Sequence, residues 1–138
     1  MDQFDEFVQS IASYGYEKLV NISVQACAQL LPICKRINPD NSALLLLSII
    51  LSAVGADGQL AEKEKQFMVK VMSTTEEKAA DYFKLYGEKT NSVVESFAKY
   101  LDADKKNTLV CLLIAISAID GEVSREENAW IRKINAIK

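Results

Sequence analysis

Apolar residues recur along this chain at helical spacing, and no stretch alternates as a half-buried strand would. Residues 4–11 carry apolar side chains at i, i+3, i+4 and i+7, which predicts a first amphipathic helix. We expect this helix to end in the following "YGY", with Gly15 as its C-cap. A second helix is predicted from about residue 17 to 37, and Pro32 inside it should kink or split it.

The helical pattern continues after the break "INPDNS". Helices are predicted over the apolar run 43–56, over about 62–72, from the capping-box stretch "STTE" to Gly87, and from Thr90 or Asn91 to Leu101. Two more are predicted over 109–119 and, after the second Asp-Gly pair, to about Ile137. The sequence therefore predicts an all-α fold: a single domain over residues 1–138, built as one bundle of seven to eight helices.

Two of the most apolar runs end in the same Asp-Gly pair, in "ADGQLAEKE" and "IDGEVSREE". Aligning residues 46–71 with 109–134 at an offset of 63 gives five identities, which include the Asp, the Gly and the Glu of both stretches. Each unit, about residues 44–72 and 107–135, is predicted to be an αα-hairpin. Two such hairpins can pack about a pseudo-twofold axis, which would bring their turns close together.

The glycine and the aspartate of each pair have a simple structural explanation. Glycine ends a helix in the left-handed conformation without a Cβ penalty, and aspartate can close an Asx-turn. The glutamate is harder to explain, because Glu64 and Glu127 both fall in the middle of apolar helical stripes. A carboxylate facing a core needs a partner. The stripes consist of Leu60, Phe67, Met68 and Val71, and of Val123, Trp130, Ile131 and Ile134.

Helix capping is the first interpretation of these glutamates. "SREE" places Ser124 at an N-cap and Glu127 three residues later, where its carboxylate can accept from the Ser124 backbone N–H. In the first repeat Ala61 stands in place of Ser124, so half of the capping box is missing there.

A hard-cation site is the second interpretation. Its ligands would be Asp57, Glu64, Asp120 and Glu127, and a set of oxygen donors suits Ca²⁺, Mg²⁺ or Mn²⁺. The spacing matches the last eight positions of an EF-hand loop, but the first two acidic ligands are absent from both copies. An ion would therefore have to be shared between the turns or completed by water.

Composition limits the other functions. The net charge is −3, without a basic run, which argues against nucleic acid as a partner. The chain has no histidine, so the commonest general base is missing and we do not expect an enzyme; a carboxylate-dependent hydrolase is a distant alternative. The apolar runs are shorter than the roughly 20 residues of a membrane span. The N-terminus is acidic, unlike that of a signal peptide, and the three cysteines are expected to be reduced. Both features favour a cytoplasmic protein.

The segments "GADGQLAEKE" and "AIDGEVSREE", about sixty residues apart, resemble the TerB-like family of tellurite-resistance proteins. The resemblance implies a bundle of about seven helices, a link to stress response and tellurite resistance, and divalent metal held by Asp57, Glu64, Asp120 and Glu127. It does not cover the first forty residues.

These observations favour a non-enzymatic, TerB-like interaction module that binds a divalent cation weakly. The alternative is a metal-free structural or adaptor domain whose glutamates serve as caps. We expect a weak homodimer at most, formed through an exposed apolar face. Phe67 and Trp130 should anchor the core, and Asp102 and Asp104 should cap a helix rather than bind an ion.

Overall fold

The protein is described by a computed structural model that covers residues 3–37, 39–40, 42–54, 62–72, 77, 91–120, 123 and 125–137. These residues form seven α-helices and one 3₁₀-helix, and no strand occurs among them. The elements are α1 (Gln3–Ala12), α2 (Tyr16–Ile37), α3 (Ser42–Val54), α4 (Glu62–Met72), α5 (Asn91–Ala98), α6 (Ala103–Ser117), η1 (Ala118–Asp120) and α7 (Arg125–Asn135). The all-α prediction is confirmed. Of the helix predicted to end at Gly87, the structure describes only Glu77.

The second helix runs unbroken through Pro32, so the predicted split does not occur. Proline lacks the N–H that would bond to the carbonyl four residues earlier, which here belongs to Ala28. Both residues lie on the exposed side of α2, where water can replace the missing bond. The opposite side, including Leu30 and Ile33, is buried and holds the helix in place by packing.

Gly15 does not cap the first helix, and that prediction is wrong. The helix α1 already ends at Ala12, and Gly15 does not adopt the left-handed conformation. Its carbonyl instead accepts from the N–H of Leu19 at 3.0 Å, the first helical bond of α2. The first helical hydrogen bond of α2 therefore starts at Gly15. The turn after α1 is closed by the N–H of Tyr14, which donates to the carbonyl of Ile11.

The centre of the core is α6. From Leu109 to Ser117 every residue except the half-buried Cys111 is buried, which is typical of a helix covered on all sides. It packs against α1, α2, α3 and α7. The other helices each contribute an apolar stripe to the same cluster, for example Phe67 and Met68 of α4 and Ile131 and Ile134 of α7.

The structure describes helices in both predicted repeat units, and the repeat of hairpins stays a prediction. In the second unit α6, η1 and α7 follow one another, and α6 packs against α7. In the first unit α3 and α4 cover the expected stretches of the chain, whereas the residues between them lie outside the described ones. The two apolar helices, α3 and α6, pack against each other. The pseudo-twofold relation between the units stays a prediction.

Among the helices that the structure describes, none combines the length and the apolar character needed to cross a bilayer.

Candidate functional site

Glu127 occupies the position that its sequence pattern predicts. It is the third residue of α7, its exposure is 7%, and it is the only charged residue among the buried positions of the described chain. The apolar stripe around it is formed by Ile131 and Ile134, which are fully buried, and by Val123 and Trp130, which pack against the core. Glu127 is not an unpartnered carboxylate, because it interacts with other groups of the protein.

The other three candidate ligands are located less fully. Asp120 is the last residue of η1, and Glu64 lies in the first turn of α4, but for both the structure describes the backbone only. Asp57 lies outside the described residues, as does Ser124, the predicted cap of α7. The helix α7 begins at Arg125, and the capping role of Ser124 stays a prediction.

Packing brings the two units together at the second turn. The helix that carries Glu64, α4, packs against η1, the segment that ends at Asp120. The arrangement therefore joins the acidic helix of the first unit to the acidic turn of the second. Within the described ranges, however, no group of three or more acidic, cysteine or histidine side chains could hold a metal ion. Glu127 is thus one candidate ligand that the structure places in a desolvated position, and a complete ligand set is not shown.

The N-terminal helix also packs in this region, a contact that the sequence patterns did not reveal. It packs against η1, α6 and α7, and α2 also packs against η1. Asp5 of α1 accepts from Nη2 of Arg132 at 2.5 Å and from Nδ2 of Asn128 at 3.4 Å. The guanidinium of Arg132 lies 4.9 Å from the centre of the Phe4 ring. These partners are more than 120 residues apart, so no local motif could indicate them.

Asp102 caps α6, as predicted, whereas Asp104 does not act as the cap. Asp102 precedes α6 with an extended backbone, and its Oδ1 accepts from the N–H of Lys105 at 2.9 Å. Asp104 lies in the first turn of the helix, where a negative charge interacts favourably with the helix dipole.

The three cysteines are free thiols, as expected. Burial raises the pKa of Cys27 from 9.0 to about 12, and the nearby Cys34 adds to this increase. Burial also raises the pKa of Cys34 to about 11 and raises that of Cys111. A thiol with a raised pKa is a poor nucleophile at neutral pH, so none of the three has the character of a reactive cysteine.

A shallow groove of about 430 Å³ lies at the C-terminal end of α2. Its lining residues in the described part of the chain are Ile33, Arg36, Ile37 and Tyr100, and none of these four carries a carboxylate.

Comparison with known proteins agrees with the resemblance seen in the sequence. The family model "Tellurite resistance protein TerB" matches residues 43–137, more than half of the chain. The same chain matches no curated protein and no solved structure. The matched region begins with α3 and includes both Asp-Gly turns, whereas α1 and α2 precede it.

Proposed function

This chain belongs to the TerB family, and from that membership we propose that it binds a divalent cation weakly at its paired acidic turns and acts as a non-enzymatic interaction module. The ligands would be Asp57, Glu64, Asp120 and Glu127. The module would serve in the cytoplasm in the response to stress or tellurite.

The burial of Glu127 is the observation that carries this proposal. A desolvated carboxylate is costly unless a cation, a proton or hydrogen-bond donors compensate it. Glu127 lies in the first turn of α7, directly after the Asp-Gly turn of the second unit. The packing of α4 against η1 adds support, because it joins the helix of Glu64 to the same turn.

Weak binding is expected from the chemistry of the donors. Each of the four residues offers only carboxylate oxygens, and Ca²⁺ takes six to eight oxygen ligands. If each carboxylate binds through one oxygen, the four side chains leave several coordination positions to water or backbone carbonyls. Such a site favours Ca²⁺, Mg²⁺ or Mn²⁺ over zinc, which prefers nitrogen and sulfur ligands.

The metal-free alternative has one observation in its favour. Glu127 is the third residue of a helix that begins at Arg125, which is where the glutamate of a capping box lies, and it already interacts with other groups. If capping is its whole role, Ser124→Ala should reduce stability by about 0.5–2 kcal/mol. Ala61→Ser should then stabilise the first repeat slightly.

Thermal unfolding with and without millimolar Ca²⁺, Mg²⁺ or Mn²⁺ tests the proposal. Binding to the folded state alone should stabilise the wild type by about 1.4 kcal/mol at ten times the Kd, which is a shift of a few degrees in the melting temperature. Glu64→Gln and Glu127→Gln should abolish this shift. Glu126→Gln is the matched control, because Glu126 is the exposed neighbour of Glu127 in the same helical turn.

The two interpretations also differ without metal. If Glu64 repels other carboxylates in the apo protein, Glu64→Gln should stabilise that protein slightly. If Glu64 only caps its helix, the same change should destabilise it, and no variant should respond to divalent ions. A wild-type melting curve that is indifferent to all three ions would refute the cation site.

A further inference from the structure

Ser117, the last residue of α6, carries a buried hydroxyl without a hydrogen bond. Its exposure is 2%, and its Oγ finds no partner in the described part of the chain. Ser23 in α2 shows the usual solution for a buried helical serine, because its Oγ donates to the carbonyl of Leu19 at 2.9 Å. A buried hydroxyl that makes no hydrogen bond is costly, so Ser117 needs a water molecule or an ion beside it.

Helical geometry places Ser117 on the face of α6 that is turned to α7. Ser117 follows Lys106 by about three helical turns, so the two residues have nearly the same angular position. Nζ of Lys106 donates to the carbonyl of Ile137, just beyond the end of α7, and this contact identifies the face. The opposite face is turned to α2, because Thr108, about 180° from Ser117, donates to Oε1 of Gln29.

The contact between Lys106 and Ile137 also indicates the level of Ser117 along α7. The two helices pack against each other and are joined by residues 118–124, so they run antiparallel. A helix advances 1.5 Å per residue, which puts Ser117 about 16 Å from the level of Lys106 and Glu127 about 15 Å from the level of Ile137. Ser117 and Glu127 therefore lie opposite each other, at the end of the hairpin that contains Asp120.

We propose that Ser117 is a fifth residue of the cation site, and that its hydroxyl oxygen contacts the same ion as the carboxylate of Glu127. The inference rests on the proposed function, because it assigns a further ligand to the same site. Serine and threonine hydroxyls are established ligands of hard cations, for example of Mg²⁺ in phosphate-binding loops. An ion at this position would give the hydroxyl of Ser117 a partner and would compensate the buried negative charge of Glu127.

Buried polar side chains are rare in the described part of the chain, which makes this pair informative. They are Ser23, Ser117 and Glu127, and two of these three lie at the same end of the α6–α7 hairpin. The hydroxyl is present in the second repeat unit alone, because Val54 stands at the equivalent position of the first unit. Valine offers no oxygen, so the two units contribute unequally and the ion lies nearer the second turn.

Binding of Mn²⁺ to the full chain, measured from the electron paramagnetic resonance signal of the free ion, tests the proposal. Ser117→Ala should raise the Kd for Mn²⁺ about tenfold and reduce the rise in melting temperature that the ion causes. Without the ion, the same variant should melt at or above the wild-type temperature, because it loses an unpartnered buried hydroxyl and no hydrogen bond. A serine with a structural role alone would not combine these two effects.

Ser23→Ala is the matched control. Ser23 is as buried as Ser117, but its hydroxyl already has a partner within α2. The variant should therefore bind Mn²⁺ with the Kd of the wild type. Circular dichroism checks that both alanine variants are folded.

The outcomes separate this inference from the proposed function. If the wild type binds none of Mn²⁺, Mg²⁺ and Ca²⁺, the cation site fails and the role of Ser117 fails with it. If the wild type binds Mn²⁺ and Ser117→Ala binds it equally well, the cation site stands and the role of Ser117 alone is refuted. A clear loss of stability in ion-free Ser117→Ala would also overturn the inference, since the hydroxyl would then have a partner in the folded protein.

Discussion

Asp5 on the first helix and Arg132 on the last helix form a salt bridge, with 2.5 Å between Oδ1 and Nη2. Arg132 also stacks over Phe4, and Asn128 donates to the same carboxylate. The pair joins α1, which precedes the family-matched residues, to the last helix within them. It lies one to two turns along α7 from Glu127, so α1 helps to hold the helix that carries the candidate ligand.

Loss of this salt bridge should destabilise the protein modestly. Both side chains are partly exposed, so we expect Asp5→Ala to cost about 0.5–1 kcal/mol in urea unfolding. Arg132→Lys should also be destabilising despite the retained charge, because lysine cannot reproduce the planar fork or the stacking on Phe4. Glu6→Ala, at the exposed neighbouring position, is the control and should change stability by less than Asp5→Ala. Equal effects of the two alanine variants would show that the salt bridge contributes nothing.

Asp102, which caps the central helix α6, should contribute more to stability than the nearby Asp104. Asp102→Ala removes the acceptor for the Lys105 N–H and should cost about 0.5–2 kcal/mol. Asp104→Ala removes only a favourable interaction with the helix dipole and should cost about 0.3–1 kcal/mol. Chemical denaturation of the two variants gives the comparison. If Asp104→Ala were the more harmful change, the assignment of Asp102 as the cap would be wrong.

Much of the helical architecture could be predicted from the sequence, because apolar periodicity reports directly which face a helix buries. The predicted second helix, about 17–37, is found at Tyr16–Ile37, and the break after it is found where expected. The errors arose where local signals compete. Gly15 suits a helix end, but here its carbonyl starts the next helix, and Pro32 is tolerated because it faces solvent.

The candidate site could be predicted only as far as local periodicity extends. Because the helical wheel surrounds Glu127 with apolar residues, its burial follows from the sequence. The contacts of α1 with η1 and α7 depend on residues at opposite ends of the chain, and no local pattern encodes such a pairing. The packing of α4 against η1 is also a tertiary contact, which the repeat suggested without determining its geometry.

The buried thiols should make stability depend on alkaline pH. Burial raises the pKa of Cys27 to about 12 and that of Cys34 to about 11, whereas in the unfolded chain both titrate near 9. Below pH 9 the thiols stay protonated in the folded and in the unfolded state, so they give stability no pH dependence. Above pH 9 only the unfolded state releases them, up to about pH 11 for Cys34 and about pH 12 for Cys27, so stability should fall as pH rises, by up to about 1.4 kcal/mol per pH unit for each thiol.

The pH dependence of the urea midpoint checks this prediction. Tyrosines and lysines also titrate in this range, so the informative quantity is the difference between the wild type and Cys27→Ala. The variant should lose less stability between pH 9 and 11 than the wild type does. If the urea midpoints of the two proteins fell in parallel with pH, the folded state would not hold the Cys27 proton more tightly than the unfolded state does.

Phe67 and Trp130 occupy equivalent repeat positions, but the structure gives them unequal environments. Phe67 is 0% exposed, whereas Trp130 is half-buried at the edge of the same core. Phe67→Ala should therefore leave a cavity and cost about 3–5 kcal/mol. Trp130→Phe should change stability by about 1 kcal/mol or less, because no group in the described part of the chain accepts a hydrogen bond from the buried indole Nε1.

Urea unfolding followed by circular dichroism measures both changes without relying on the fluorescence of Trp130. Phe67→Leu is the intermediate control, since it keeps most of the apolar volume and should lose less stability than Phe67→Ala. A large loss in Trp130→Phe would show that the indole N–H has a partner in the folded protein. The two repeat positions would then contribute to the core in different ways, one through volume and the other through a polar contact.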